Sequence, residues 1–288
     1  MVSPPKGHVK ASGRPPEAGL RLDSVAPLRY RWSVRLDVAL LPRLLRRPES
    51  SVCLLIDALR ASSSIVTLFA RGAEEVVVAG STTAARRIAA QEPRRYLLCG
   101  EVFGLAPRGF DYGNSPSEFA ELDMRGRRAI LSTTNGTKAL RRLAASPAVF
   151  VGALLNATAA VATLLAEARS RGIDAALVCS GLEAGNAFSL EDAFVAGALV
   201  ENAIEQTRRT SGDLTLSDAA MAACRLYQSY QGDALACFRE AEHGRSLIGI
   251  GLGRDLELCA RVDLYDAVPR LRSDASGRLS LVIDGRAK

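Results

Sequence analysis

The stretch Arg128-Ala-Ile-Leu-Ser-Thr-Thr-Asn-Gly-Thr-Lys138 carries the clearest chemical signal in the chain. An apolar run, Ala129 to Leu131, enters a loop of hydroxyls, an amide and a glycine. A helical pattern, Lys138 to Leu143, follows at once. The pattern is a strand, a polar turn and a helix start. Such a turn presents free backbone N–H groups and the positive end of a helix dipole, which suits phosphate or another anion. Thr133, Thr134 and Thr137 can add hydroxyls beside Asn135 and Gly136. Ordinary helix capping uses the same residue types, so the turn alone leaves both readings open.

Other strand ends add charge. In parallel sheets ligands bind beyond the carboxyl ends of the strands. Asp57 closes the apolar run Cys53 to Ile56. A carboxylate there is costly to bury unless it is paired or bound to a cation. Asp57 is a Mg²⁺ ligand, a partner of nearby Arg60, or a helix cap. Glu101, after Cys99-Gly100, has the same character. Arg60 lies near a helix start, where the dipole does not favour a cation. Its planar fork suits a phosphate or sulfonate, and an ion pair with Asp57 is the alternative. Glu191 and Asp192 follow Ser189, a natural N-cap, so capping and functional readings both stand. Asp111, Asn114 and Ser115 lie in a long loop from Gly100 to Pro116, and loops that long in compact domains are usually functional. His243 is the only imidazole in the body of the chain and is read as a surface residue in a helix connector.

Several phosphate chemistries are excluded by pattern. A Cys-x5-Arg phosphatase loop is absent, since Cys179 reaches Gly185 and Cys53 reaches Leu59 at that offset. Asp57 is followed two positions on by Leu59, so there is no Asp-x-Asp. His243 follows Glu242, so there is no Arg-His-Gly. Neither a Walker loop nor GxGxxG occurs. What remains is metal-assisted attack by water on a phosphate held by turns.

These residues need a scaffold, and the rhythm of the chain supplies one. Strands are expected at Trp32–Leu41, Val52–Asp57, Glu75–Ala79, Tyr96–Cys99, Arg128–Ser132, Ala148–Gly152 and Ala175–Cys179. Helices are expected at Ser62–Arg71, Thr82–Gln91, from Gly136, Ala157–Arg171 and Ser189–Thr207. Apolar strands alternating with amphipathic helices mean an α/β fold, with a largely parallel sheet covered on both faces. Beyond residue 213 helices take over: Ser217–Tyr230, Asp233–Ala241 and Ser246–Val262. Val268–Leu271 and Leu279–Ile283 read as a closing hairpin.

The net charge is +6, and residues 1–50 hold ten Lys/Arg against four Asp/Glu, so the whole excess sits there. With Pro4, Pro5, Pro15, Pro16 and Pro27, residues 1–30 read as a flexible, basic, Pro-rich segment, and 31–288 as the catalytic domain. Arg there is interrupted by Pro and aliphatics, so a solvated leader rather than a nucleic-acid contact is expected. No apolar run reaches the roughly 18–20 residues of a membrane helix, and no secretory signal is evident. The six cysteines show no metal-ligand spacing and read as buried thiols of a cytoplasmic protein.

Six segments in this order resemble the 2-phosphosulfolactate phosphatase family, the ComB-like proteins. They are Ile56-Asp57-Ala-Leu-Arg60-Ala-Ser-Ser, Gly109-Phe-Asp111-Tyr-Gly-Asn114-Ser115-Pro, Ser132-Thr-Thr-Asn135-Gly-Thr-Lys138-Ala, Leu155-Asn156-Ala-Thr, Phe188-Ser189-Leu-Glu-Asp192 and His243-Gly-Arg245. The resemblance implies a three-layer α/β/α fold with a parallel or mixed sheet. It implies a Mg²⁺-dependent hydrolase that converts (2R)-2-phospho-3-sulfolactate to 3-sulfolactate, a step of coenzyme M biosynthesis. On that basis Asp57 and Glu101, with Asp192, are expected to hold Mg²⁺. Arg60 and the turn Thr134, Asn135, Gly136 and Thr137 are expected to bind phosphoryl oxygens. Ser62, Asn114 and Ser115 orient the acid, and Arg245 completes the substrate-binding set. The expected partner is a small anionic phospho-acid, and the expected assembly a homo-oligomer. A phosphatase of the same fold for another phospho-acid, or a non-catalytic anion-binding protein, are the alternatives.

Overall fold

The computed structural model describes residues 1–3, 33–210 and 212–285. The flexible segment expected over residues 1–30 therefore lies, after its third residue, outside the described residues. The strands are β1 (Ser33–Ala39), β2 (Ser51–Ile56), β3 (Glu75–Val78), β4 (Tyr96–Gly100), β5 (Arg128–Ser132), β6 (Ala148–Gly152), β7 (Asp174–Cys179), β8 (Asp213–Leu216), β9 (Arg270–Ser273) and β10 (Leu279–Val282). The helices are α1 (Ala61–Ala70), α2 (Thr82–Gln91), α3 (Pro116–Ala120), α4 (Gly136–Leu143), α5 (Ala157–Arg171), α6 (Leu190–Thr210), α7 (Asp218–Ser229), α8 (Ala234–Glu240), α9 (Glu242–Gly249) and α10 (Gly253–Cys259).

The ten strands form one mixed sheet in the order β4-β5-β3-β10-β9-β6-β2-β7-β1-β8. It consists of two parallel blocks. One is β4-β5-β3, the other β6-β2-β7-β1-β8. The antiparallel hairpin β9–β10 is inserted between them: β10 pairs with β3 and β9 meets β6 at Phe150.

Strand periodicity sorts the core. In β2, Val52, Leu54 and Ile56 face one apolar cluster, with α5 and α6. Cys53 and Leu55 face a second, with Ile65, Leu68 and Phe69 of α1 and Leu140 of α4. In β5, Ala129 and Leu131 join that second cluster, while Ile130 turns to a third with Ala85 of α2. Helices thus cover both faces, giving the three-layer α/β/α arrangement. The second cluster takes side chains from both blocks, so the blocks enclose α1 and α4 together. A flat sheet would hold β5 and β2 about 24 Å apart, at about 4.8 Å per strand. Instead, a Cβ built on Gly136, at the start of α4, would lie 2.7 Å from Asp57 Oδ2 at the end of β2. The turns beyond the carboxyl ends of the two blocks therefore meet.

Four details differ from the sequence reading. The helix expected over Ser246–Val262 is two helices, α9 and α10. Gly249, Gly251 and Gly253 interrupt it, and Gly251 adopts φ +84°, a conformation that ends helices. β8 and the short α3 were not anticipated, and the first strand is shorter than Trp32–Leu41. All six cysteines are buried and unpaired. Among the described residues no helix is long and apolar enough to cross a membrane.

Candidate active site

The turn from β2 into α1 builds the floor of the site. Asp57 is almost wholly buried, at 5 % exposure. Its backbone N–H donates to Ser62 Oγ at 2.9 Å. Its Oδ1 accepts the Ala61 N–H at 3.1 Å, so the side chain caps α1. The Gly136 N–H also donates to this carboxylate, and the Ser180 hydroxyl, whose proton goes to Asp192, stands beside it. Burial outweighs those donors and, with the negative charge of Glu101, raises its pKa to about 6. Gly136 has to be glycine, since any side chain would strike Asp57 and Ala61.

Glu101 stands at the end of β4. One carboxylate oxygen accepts the Thr134 N–H at 2.6 Å and the other the Gly104 N–H at 3.0 Å. Arg60 does not pair with Asp57. Its Nη1 donates to Asp255 Oδ2 at 2.7 Å, with both side chains about 2 % exposed, and its Nη2 donates to the Gly104 carbonyl at 2.7 Å. The guanidinium thereby ties α10 and the long loop after β4 to the floor. Asn135 Oδ1 accepts the Ala184 N–H at 2.9 Å and draws in the loop after β7.

These groups share one pocket of about 340 Å³. Its lining includes the polar Asp57, Arg60, Glu101, Asn114, Thr133, Thr134 and Asn135 and the apolar Phe103, Leu182, Leu247 and Ile250, with Glu183, Glu242 and His243. Asn114 is buried, and its Oδ1 has no hydrogen-bond partner. Burial and the Arg60 charge together push the His243 imidazole below its ordinary pKa. The wall thus has four carboxylates against one guanidinium and one imidazole.

Comparison with known proteins decides what this pocket belongs to. The family model described as 2-phosphosulpholactate phosphatase matches residues 40–274. A protein of Thermosynechococcus vestitus named "Probable 2-phosphosulfolactate phosphatase" is 39% identical over 224 residues, 77% of this chain and 89% of that protein. Proteins of the same name from a Synechococcus strain and from Carboxydothermus hydrogenoformans are 40% and 34% identical, over 77% and 82% of this chain and 88% and 92% of theirs. The chain belongs to the 2-phosphosulpholactate phosphatase family. It is therefore a phosphoric monoester hydrolase by family.

In this phosphatase the pocket gathers Asp57, Arg60, Glu101, Asn114, Thr134 and Asn135 of the expected site. Gly136 abuts it from behind through Asp57. The other expected residues stand outside its wall. Thr137 and Thr133 cap each other, the Thr137 N–H donating to Thr133 Oγ1 and the Thr137 hydroxyl to the Thr133 carbonyl. Ser62 braces the β2–α1 turn. Ser115 caps α3 and donates its hydroxyl to Asp255 at 2.6 Å. Arg245 is exposed on α9 and donates to the Glu240 carbonyl. Asp192 lies behind the floor, where it accepts from the Ala58 N–H, the Ser180 hydroxyl and the Gly181 N–H.

Two residues of the site were not read as such from sequence. Asp255 holds Arg60 in place and also accepts from Ser115 and the Ser117 N–H, but nothing near it in sequence marks it. His243 was placed on the surface, and the structure puts it on the pocket wall. Being the sole imidazole of the body was the available signal.

The oxygen donors facing the pocket suit a hard cation. Among the described residues Asp57 and Glu101 have no cationic side chain bonded to them, and the orphaned, buried Oδ1 of the lining residue Asn114 is a third oxygen. Mg²⁺ typically takes one or two carboxylates and completes its shell with water and substrate phosphate. Among the described residues no three His, Cys, Asp or Glu side chains form a ready-made cluster, and Asp192 is turned away.

Proposed function

We propose that this pocket hydrolyses (2R)-2-phospho-3-sulfolactate to 3-sulfolactate and phosphate with Mg²⁺, a step of the coenzyme M biosynthesis type. Family membership supports the reaction class and the substrate named for the relatives. The observation that carries the proposal is the meeting of Asp57, from one parallel block, with the Thr134–Gly136 turn and Glu101 from the other. The acidity of the wall supports the metal. A multiply anionic substrate would be repelled by Asp57 and Glu101 unless a cation stood between them.

Asp57 and Glu101, with Asn114 Oδ1, would hold Mg²⁺, which supplies charge neutralisation and a water of lowered pKa. The residues do the rest. The start of α4 presents its dipole to the phosphoryl oxygens. Arg60, fixed by Asp255 and Gly104, places a positive charge on the floor. The Glu101–Thr134 bond keeps the turn beside the carboxylates, which confines the ester to one orientation.

A second reading has its own observation. Phe103, Leu182, Leu247 and Ile250 add apolar surface to the pocket lining, which suits a phospho-acid with an uncharged tail in place of the sulfonate. Phosphate release by the purified enzyme separates the two. With Mg²⁺ it should be faster from 2-phospho-3-sulfolactate than from 2-phospholactate or 2-phosphoglycerate, and EDTA should abolish it. Equal or reversed preference would keep the reaction and discard the sulfonate. No release from any of these esters would discard the reaction.

A further inference from the structure

The ester of a 2-hydroxy acid leaves as a poor alkoxide, and nothing described so far gives it a proton. The apparent candidates are unsuitable. Asp192 is satisfied by three donors behind the floor. Asp57 accepts from the Ala61 and Gly136 N–H groups and is placed with the metal. The cysteines are buried, and burial pushes their thiols up. The Thr137 hydroxyl donates to the Thr133 carbonyl, and Thr133 Oγ1 accepts the Thr137 N–H; an aliphatic hydroxyl is in any case too weak an acid for the task.

His243 is different. It lies in the first turn of α9 and lines the same pocket as Asp57 and Arg60 of the β2–α1 turn. It is half-buried, and no hydrogen bond engages its imidazole among the described residues. Its charged surroundings are Arg60 from the β2–α1 turn, Glu101 from the end of β4 and Glu242 beside it on α9. In the absence of substrate, burial and Arg60 hold the ring neutral more than usual. A phosphate dianion brought into the pocket reverses that balance, since a nearby negative charge favours the imidazolium.

Resting on the phosphatase reading above, we propose that His243 is the general acid that protonates the leaving oxygen. Water forms the new O–P bond as the bond between phosphorus and the ester oxygen breaks. The electron pair of the broken bond stays on the ester oxygen, which takes the proton from the His243 imidazolium. The attacking water gives up one proton to solvent, and solvent reprotonates the ring. One water is consumed, and the hydroxy acid and inorganic phosphate are released. General-acid help of this kind is worth about 10²–10⁴-fold when the leaving group needs it. It is worth little when the leaving group departs as a stable anion.

That difference is the test. His243→Gln and His243→Asn are compared with wild type on 2-phospho-3-sulfolactate, whose alkoxide needs a proton, and on acetyl phosphate, whose acetate does not. Both variants should lose about 10²-fold or more in kcat on the alkyl ester and stay within a few-fold of wild type on acetyl phosphate. The wild-type profile on the alkyl ester should fall on its alkaline side as the imidazole loses its proton, and that limb should vanish in the variants. Equal losses on both esters in a variant with wild-type Tm would show a structural role and overturn the proposal. So would a variant that keeps the wild-type rate or the alkaline limb. A wild-type enzyme inactive on both esters would instead remove the phosphatase reading itself.

Discussion

At the scale of single residues the site is a set of acids held against their preference. Burial raises Asp57 to about 6 and Glu191 to about 7, and raises Asp192 as well, with the three charges opposing one another. In the unfolded chain the same acids lose their protons near their ordinary values of 3.8 and 4.5. As pH rises from 5 to 7.5 the unfolded state is already ionised, while the folded state must ionise these buried groups. Stability is therefore complete only below the unfolded values and is lost as pH rises towards the folded ones, with about 1.4 kcal/mol of the Asp57 loss falling between pH 5 and 7.5. In EDTA, Tm should fall by several degrees between pH 5 and 7.5, at ~2–4 °C per kcal/mol. Mg²⁺ should restore it at pH 7.5 and change little at pH 5. A metal-free Tm that is flat or rises across that window, or Mg²⁺ that acts equally at both pH values, contradicts this. Sequence showed Asp57 and Glu101 as carboxylates closing apolar runs, because that cost is visible locally. It could not show Asp255, the true partner of Arg60, because the pair spans 195 positions and Asp255 sits in an unremarkable helical stretch.

At the scale of elements, the β2–α1 turn and the β5–α4 turn interlock. Both were legible, since each pairs an apolar strand with a polar turn and a helix start. Their mutual contact was not, because the residues that join them are Gly136 and a backbone N–H. Gly136 is where the join is tightest. Gly136→Ala would set a methyl 2.7 Å from both Asp57 Oδ2 and the Ala61 Cβ. The start of α4 must then withdraw, at about 1–3 kcal/mol, and the Gly136 N–H leaves the carboxylate. The variant should stay folded with a lower Tm and lose at least tenfold in kcat/KM for its phosphoester. Unchanged kinetics would show that the two turns do not act on one substrate. Thr137 illustrates the opposite case, a residue type that suits anions but serves as a cap. The helix break at α9–α10 was also hidden, since the apolar pattern runs across Gly249–Gly253 and only the backbone at Gly251 ends it.

At the scale of the molecule, function depends on how the sheet is closed. Two parallel blocks, each readable as βα repeats, are joined through a C-terminal hairpin that pairs with β3 on one side and meets β6 on the other. The alternation of strands and helices announced an α/β fold. It could not announce the strand order, because the pairing of β10 with β3 is long-range and involves few residues. Yet that order decides whether Asp57 and the Thr134–Gly136 turn share a pocket. The direct measurement is an anomalous-diffraction map of crystals soaked with Mn²⁺ and inorganic phosphate, Mn²⁺ standing in for Mg²⁺. A manganese peak between the Asp57 and Glu101 carboxylates is expected, with phosphate beside it against the Thr134–Gly136 turn. A metal bound elsewhere, or phosphate lodged away from that turn, would contradict the account.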